Sequence, residues 1–303
     1  MTARIVTTKA EPGSPEWLRL VTASKVPAIL GISRFKSQFE LWHEMAGTLP
    51  PAPIDDAKQE HFDYGHAAEV AAAEFWKYRN PGWRLSVGEV QYTRDDLPFP
   101  NAVTIDRRGS RGRSRRVVEV KTAQSREEWG DDGSGEVPQD YAAQVLVQQI
   151  VTGWHDPADL VLWPTYGMPQ IYTLEYDQAI ADAVIGRIVE WCDSLAAGTP
   201  PELDDTVSCY ETVRRLHPDI DREATVELDP VFAVDYLRAV ADDKETTTRL
   251  RGMKTRLLDH MGRAQYARVG EHKIADRRNG KGDAVSLYAA TKTNPNEIEE
   301  LYL

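Results

Sequence analysis

Apolar positions along the chain change period from one block to the next, and each block predicts an element. Within residues 14–47, "SPEWLRL" opens with Ser14 as N-cap and Pro15 at the first helical position, while "SKVPAILG" and "SQFELWHEMAG" each stop at a glycine. Three short helices are expected there. The proline-rich segment 48–60 reads as a loop, and the alanine-rich residues 62–79 predict a helix that "NPG" terminates. Strand-like runs follow at 86–93, 101–107 and 115–122, and a glycine- and arginine-rich turn joins the last two as a hairpin. Beyond the polar loop "SREEWGDDGSGEVP" the pattern predicts a helix over 139–152, strands near 159–163 and 170–175, and a helix over 177–197. This order predicts an α/β (α+β) fold with a central mixed β-sheet flanked by helices.

"GTPPELDD", residues 198–205, marks a boundary, so domains of 1–202 and 203–303 are expected. Past it, residues 229–265 form a charged helical stretch with Leu250, Met253, Leu257 and Met261 at spacings of 3, 4 and 4. Such a stripe serves packing, within one long helix or a helical pair. "ARVGEHKIADRRNGKGDAVSLY" then reads as a β-hairpin with a glycine-rich turn, making this region a mainly helical appendage.

Composition alters this picture little: 41% hydrophobic and 28% charged residues are ordinary for a globular chain. No run approaches the ~18 apolar residues of a membrane span, and "MTARIVTTKAEPGSPEW" lacks a signal peptide's apolar core. A cytoplasmic protein with no membrane association is expected. Cys192 and Cys209 are too few for a disulfide scaffold and have no CxxC spacing, so both should be free thiols.

Charge matters more. A net −12 argues against nucleic acid, because affinity for phosphate comes from Lys and Arg. The charge is unevenly spread, however. "RRGSRGRSRR", residues 107–116, holds six arginines and no acid, and residues 249–281 hold ten Lys or Arg against three acids. Fields act over about a Debye length, ~8 Å at physiological salt, so two basic patches on an acidic body can still meet phosphates. A solvated turn explains the arginine run equally well.

"RRVVEVKTAQ", residues 115–124, raises the chemical question, because a β-branched run built for burial carries Glu119 and Lys121 on one face. Asp106 lies on the partner strand. Two carboxylates and an ammonium in a strand pair need compensating charge, which Mg²⁺ supplies with one or two carboxylates, waters and phosphate oxygens. Lys121 could then orient the attacking water or stabilise charge on the phosphate. For Glu-x-Lys alone, an exposed cross-strand ion pair is the commoner explanation.

The company of these residues changes the balance. A helix with an acid, an Asp at a strand, a hairpin, then Glu-x-Lys and a helix bearing Gln resembles the PD-(D/E)xK nuclease superfamily, which has a restriction-endonuclease-like core. The likeness is closest to the lambda exonuclease and YqaJ-type phage recombinase branch. It is carried by "RLVTASKVPAILGISRFKSQFELWHEMAG", "YGHAAEVAAAEF" and "VPQDYAAQVLVQQIVTG", over about residues 14–200. The resemblance implies that Asp106, Glu119 and Glu69 bind Mg²⁺ (or Mn²⁺), that Lys121 is the catalytic lysine, and that Gln144 sits near the scissile phosphate. It implies that Ser24, and Arg19 at a different spacing, meet a 5′-phosphate; Arg111, Arg113 and Arg115 are the candidate phosphate contacts of the arginine run. The family's proline before the aspartate is Ile105 here, and where some members have Tyr this chain has Gln148, whose role stays open. His66 has no assigned role, and Trp42 and Trp76 are expected in the core.

The implied activity is that of a metal-dependent exonuclease on linear double-stranded DNA, running 5′ to 3′. A ring-shaped homo-oligomer and a single-strand annealing partner of the RecT/Redβ type are implied with it. An endonuclease on the same core, or a catalytically silent DNA-binding or scaffold module, are the alternatives.

Overall fold

The computed structural model describes residues 3–280, 284–291 and 293–302. The chain divides into two compact units, one running up to Ile220 and one from Asp221 on. In the first, a short strand β1 (Arg4–Ile5) precedes helices α1 (Pro15–Arg19), α2 (Val26–Ile29), α3 (Gln38–Met45) and α4 (Asp56–Arg79). Strands β2 (Arg84–Leu85), β3 (Val90–Thr93), β4 (Val103–Ile105), β5 (Arg107–Arg111) and β6 (Ser114–Ala123) follow, then helix α5 (Gln139–Thr152). Strands β7 (Ala158–Pro164) and β8 (Gln170–Leu174) and helices α6 (Gln178–Ala197) and α7 (Val207–Leu216) complete the unit.

The main sheet has the order β2-β5-β6-β7-β8. Only β6 and β7 pair in parallel, joined by the crossover through α5; the other neighbours are antiparallel. A parallel pair needs such a crossover, and β7, "ADLVLWP", is apolar on both faces because helices cover both. On one face Val117, Leu160 and Leu162 pack with Val145 and Ile150 of α5 and Ile188 of α6. On the other, Val118, Val120 and Val161 meet Ala72 and Trp76 of α4. Trp76 also donates its indole N–H to Asp159 (2.8 Å), and Trp42 donates to Ser194 Oγ (3.2 Å), so both tryptophans are core as expected.

Several expectations need correction. The strand expected at 101–107 is two strands: β4 pairs with β3 in a small sheet of order β1-β3-β4, and the hairpin partner of β6 is β5. Asp106 is the single residue between them, where the chain passes from one sheet to the next. Most of the arginine run is therefore strand, with the tight turn confined to Gly112 and Arg113. Residues 86–93 are likewise interrupted, only 90–93 being strand, and α4 starts at Asp56, capped by Asp55 accepting from Lys58 N–H at 2.8 Å. Helix α7 fell in no expected element; it belongs to the first unit, where Ser208 Oγ accepts from Ser37 N–H (2.8 Å) and bonds Glu40 Oε2 (2.5 Å).

The second unit holds one 32-residue helix, α8 (Pro230–Met261), an antiparallel sheet of β9 (Tyr266–Val269), β10 (His272–Asn279) and β11 (Val285–Ala289), and α9 (Pro295–Tyr302). The expected hairpin is thus a three-stranded sheet; its glycine-rich turn at 281–283 lies outside the described residues. No described helix is long and apolar enough to cross a membrane, and both cysteines are free.

Candidate active site

Period two along β6 sends Val118 and Val120 toward α4, and Val117, Glu119 and Lys121 toward α5. Glu119 is therefore buried, 2% exposed, and the structure shows what offsets that cost. Its Oε1 accepts from Lys121 Nζ at 2.8 Å and from Gln144 Nε2 at 2.6 Å, and its Oε2 accepts from Gln148 Nε2 at 2.8 Å. Gln144 and Gln148 are one helical turn apart on α5, which places both amides on the face over β6. A charge-assisted hydrogen bond contributes about 1.5–3 kcal/mol, so three of them fix this carboxylate firmly.

Asp106 is held beside it, its Oδ2 accepting from Val120 N–H at 2.7 Å. Burial and the neighbouring Glu119 carboxylate push the Asp106 carboxyl well above the usual range, against the pull of Lys121. Lys121 is moved the opposite way. Burial draws its ammonium down, but Glu119 and Asp106 outweigh it and raise it, so the group is a cation at neutral pH. The Tyr141 ring lies with its centroid 5.3 Å from Lys121 Nζ and 5.0 Å from the Arg34 guanidinium, which in turn grips Asp140 through two bonds of 3.0 and 3.1 Å.

Glu69 approaches from α4, and its carboxylate lies 3.5 Å from Arg107, which also donates to the Asp106 carbonyl at 2.6 Å. Burial raises the Glu69 carboxyl, and Arg107 opposes that. His66, three residues earlier, is exposed.

Among the described residues no three His, Cys, Asp or Glu side chains converge as a preformed metal centre. A pair of carboxylates is present instead. Glu119 Oε1 has both lone pairs engaged, whereas Oε2 receives one donor and Asp106 Oδ1 receives none among the described residues. Acceptor capacity on two adjacent carboxylates, one of them pushed up by the other's charge, fits a hard divalent cation that completes its shell with water or phosphate oxygens.

The other candidates lie apart. Val21 bridges in parallel to Asn101, so the "TAS" segment runs beside the chain entering β4, the strand before Asp106. Ser24 is exposed and its hydroxyl meets that of Thr22 at 3.1 Å; it does not cap α2, whose N-cap is Lys25. Arg19 is exposed at the end of α1. At ~3.3 Å per strand residue, Arg115 stands roughly 13 Å along β6 from Glu119, and Arg113 lies farther off in the turn before the strand. Arg115 donates to the carbonyls of Gly112 and Ser114, and Arg111 stacks over Trp83 at 4.8 Å. The run is also partly neutralised: Arg116 pairs with buried Asp159 at 2.8 Å, as Arg107 does with Glu69.

Sequence reasoning missed Arg107, Tyr141 and Lys25. Adjacency to Asp106 and the Lys121-facing turn of α5 were the available signals for the first two. Lys25 had none: it is 4% exposed, donates to the carbonyls of Trp17, Leu18 and Leu20 at 2.7–3.1 Å, and ties the "TAS" turn to α1.

Residues 16–155 match the family model of the YqaJ-like viral recombinase domain. The chain is 22% identical over 294 residues to the uncharacterized protein YqaJ of Bacillus subtilis (strain 168), covering 89% of this chain and 85% of that one. Among solved structures it is similar to an alkaline exonuclease, LHK-Exo, from Laribacter hongkongensis, with 17% identity, a TM-score of 0.45 and coverage of 60% of this chain and 90% of that one. LHK-Exo in complex with dAMP gives 18% identity, a TM-score of 0.47 and coverage of 62% and 94%.

Proposed function

On the premise that this chain carries a YqaJ-like viral recombinase domain, we propose that it is a metal-dependent exonuclease that hydrolyses phosphodiester bonds of linear duplex DNA. The observation that carries this reading is the Glu119 carboxylate, buried and fixed by Lys121, Gln144 and Gln148 beside Asp106. A buried acid pair with spare acceptor capacity suits metal-assisted hydrolysis better than it suits structural stability.

In this reading Asp106 and Glu119 hold Mg²⁺ or Mn²⁺, with Glu69 as an outer acid once released from Arg107. The bound ion supplies charge neutralisation at the phosphate oxygens and a lowered proton affinity for a water. Lys121 keeps a proton at Nζ while Glu119 is its partner, and presents that charge toward the scissile phosphate. Gln144 and Gln148 keep the Glu119 carboxylate in one orientation, so that little reorganisation accompanies the reaction. Ser24 and Arg19 serve the 5′-phosphate end, and Arg111, Arg113 and Arg115 contact the duplex farther off. The 5′ to 3′ direction, a ring-shaped oligomer and an annealing protein of the RecT/Redβ type belong to the same proposal.

Digestion of a linear duplex labelled separately at its 5′ and 3′ ends, alongside covalently closed circular duplex, tests it. The proposal expects early loss of the 5′ label with Mg²⁺ and intact circles. Cleavage of circles at the linear rate would replace it with the endonuclease reading.

A further inference from the structure

Helix α8, within the second unit, presents large apolar side chains to solvent: Phe232 is 62% exposed, Tyr236 61%, Leu250 53% and Met253 55%. Its 32 residues span ~48 Å at 1.5 Å per residue, and among the described residues only Met261 of this helix is buried. An exposed helix of this length requires either a fully polar surface or a partner, and α8 does not have the first.

One set of positions is ordered. Exposed Phe232, Tyr236, Ala239, Asp243, Thr246, Leu250 and Met253 and half-buried Leu257 follow one another at alternating intervals of 4 and 3, which is the 3.5-residue period of a left-handed coiled-coil seam; exposed Val231, Val234, Leu237 and Val240 lie beside it. Six of the eight are apolar, and the two polar ones, Asp243 and Thr246, occupy the centre. The seam is therefore palindromic about the point between Lys244 and Glu245. Laid antiparallel on a second copy, it sets Phe232 against Leu257, Tyr236 against Met253, Ala239 against Leu250, and Asp243 against Thr246.

The flanking charges obey the same symmetry. The residues just before the Tyr236-type seam positions are Asp235, Asp242, Arg249 and Arg256. In an antiparallel pair this flank meets itself, so Asp235 faces Arg256 and Asp242 faces Arg249, giving four opposite-charge pairs per dimer. A parallel pair would instead bury Asp243 against Asp243 and bring Arg249 toward Lys254. We propose that α8 is a homodimerisation helix that pairs antiparallel with α8 of a second copy, centred between Lys244 and Glu245. Asp235, which meets Arg238 at 3.6 Å within its own helix, exchanges that partner for Arg256 of the second copy. The proposal is independent of the catalytic reading; in a ring-forming protein it would join one ring to another.

Light scattering on the full chain, with the mass compared across variants, tests it. Asp235→Arg with Asp242→Arg makes the whole flank basic, and Arg249→Asp with Arg256→Asp makes it acidic. Each double variant alone should show half the wild-type mass, and mixing the two should restore it. Asp243→Leu with Thr246→Leu should shift the dimer to at least tenfold lower concentration. A wild-type mass that neither charge reversal alters overturns the proposal, as does a mixture that fails to recover it. Circular dichroism of each variant separates loss of pairing from loss of the helix.

Discussion

Asparagine in place of Asp106 changes one atom type at the centre of the site and makes two readouts diverge. The amide oxygen can still accept the Val120 N–H that Asp106 accepts at 2.7 Å. Where Asp106 is ionised, what disappears is a negative charge beside Glu119 that burial and that neighbour already make costly. By Coulomb's law at an effective dielectric of 20, two neighbouring carboxylates repel by on the order of 3 kcal/mol at a general spacing of ~5 Å. The weaker attraction to Lys121 returns part of that, leaving ~1–2 kcal/mol of stabilisation, or a Tm rise of ~2–8 °C for a unit of this size. Scanning calorimetry in chelator should therefore show Asp106→Asn melting above wild type, while cleavage of linear duplex in Mg²⁺ is abolished. Mg²⁺ should raise the wild-type Tm by mass action and leave the variant unmoved. A lower Tm in chelator, or cleavage at the wild-type rate, would refute the argument that Asp106 is retained for cation binding against the interest of stability.

Other perturbations probe separate parts of the site. Gln148→Leu strips a donor from Glu119 Oε2 and from the Thr104 carbonyl but also removes a buried, unpartnered amide oxygen. Its stability cost should be only ~1–2 kcal/mol by urea titration while turnover falls at least tenfold; unchanged turnover would detach Gln148 from the site. Replacing Arg111, Arg113 and Arg115 by Gln should flatten the slope of log K against log salt on duplex DNA by up to ~0.9 for each phosphate no longer neutralised, and an unchanged slope returns them to a solvated hairpin. Ser24→Ala should erase most of the preference for 5′-phosphate over 5′-hydroxyl ends; since Ser24 caps no helix, retained preference would remove it from the end-binding group. Burial lowers the Lys25 ammonium to about 7 from its ordinary 10.5, with Lys36 adding to and Glu44 opposing the shift. The unfolded chain thus binds more protons across that window, and this residue's contribution to stability rises with pH through it. Lys25→Met should flatten that rise in urea titrations at pH 7 and 9.5, and a slope that persists belongs to other groups.

How far the site was legible follows from where its information lies. Glu119 and Lys121 were readable because the strand period puts them on one face, and α5 starts and stops where its pattern says, but Gln144 was named only through the family resemblance. The break at Asp106 was not. In "VTIDRRGSR" a single Asp between Ile105 and Arg107, without Gly or Pro, is too weak a turn signal to break a strand, and only tertiary pairing sends β4 to one sheet and β5 to the other. The work of Gln148 was hidden for a related reason, since its partners, Thr104 and Glu119, belong to two different sheets. Helix α7 did carry a local signal, the Thr206 cap on Cys209 N–H at 3.1 Å, masked by the proline-rich stretch before it.

The most direct test of the central claim is release of acid-soluble nucleotides from linear duplex DNA by the purified protein, measured with Mg²⁺, with chelator, and for Glu119→Gln in parallel. The account predicts release that requires Mg²⁺ and that falls to background in the variant. Equal release by wild type and Glu119→Gln, or none from wild type with either Mg²⁺ or Mn²⁺, would contradict it.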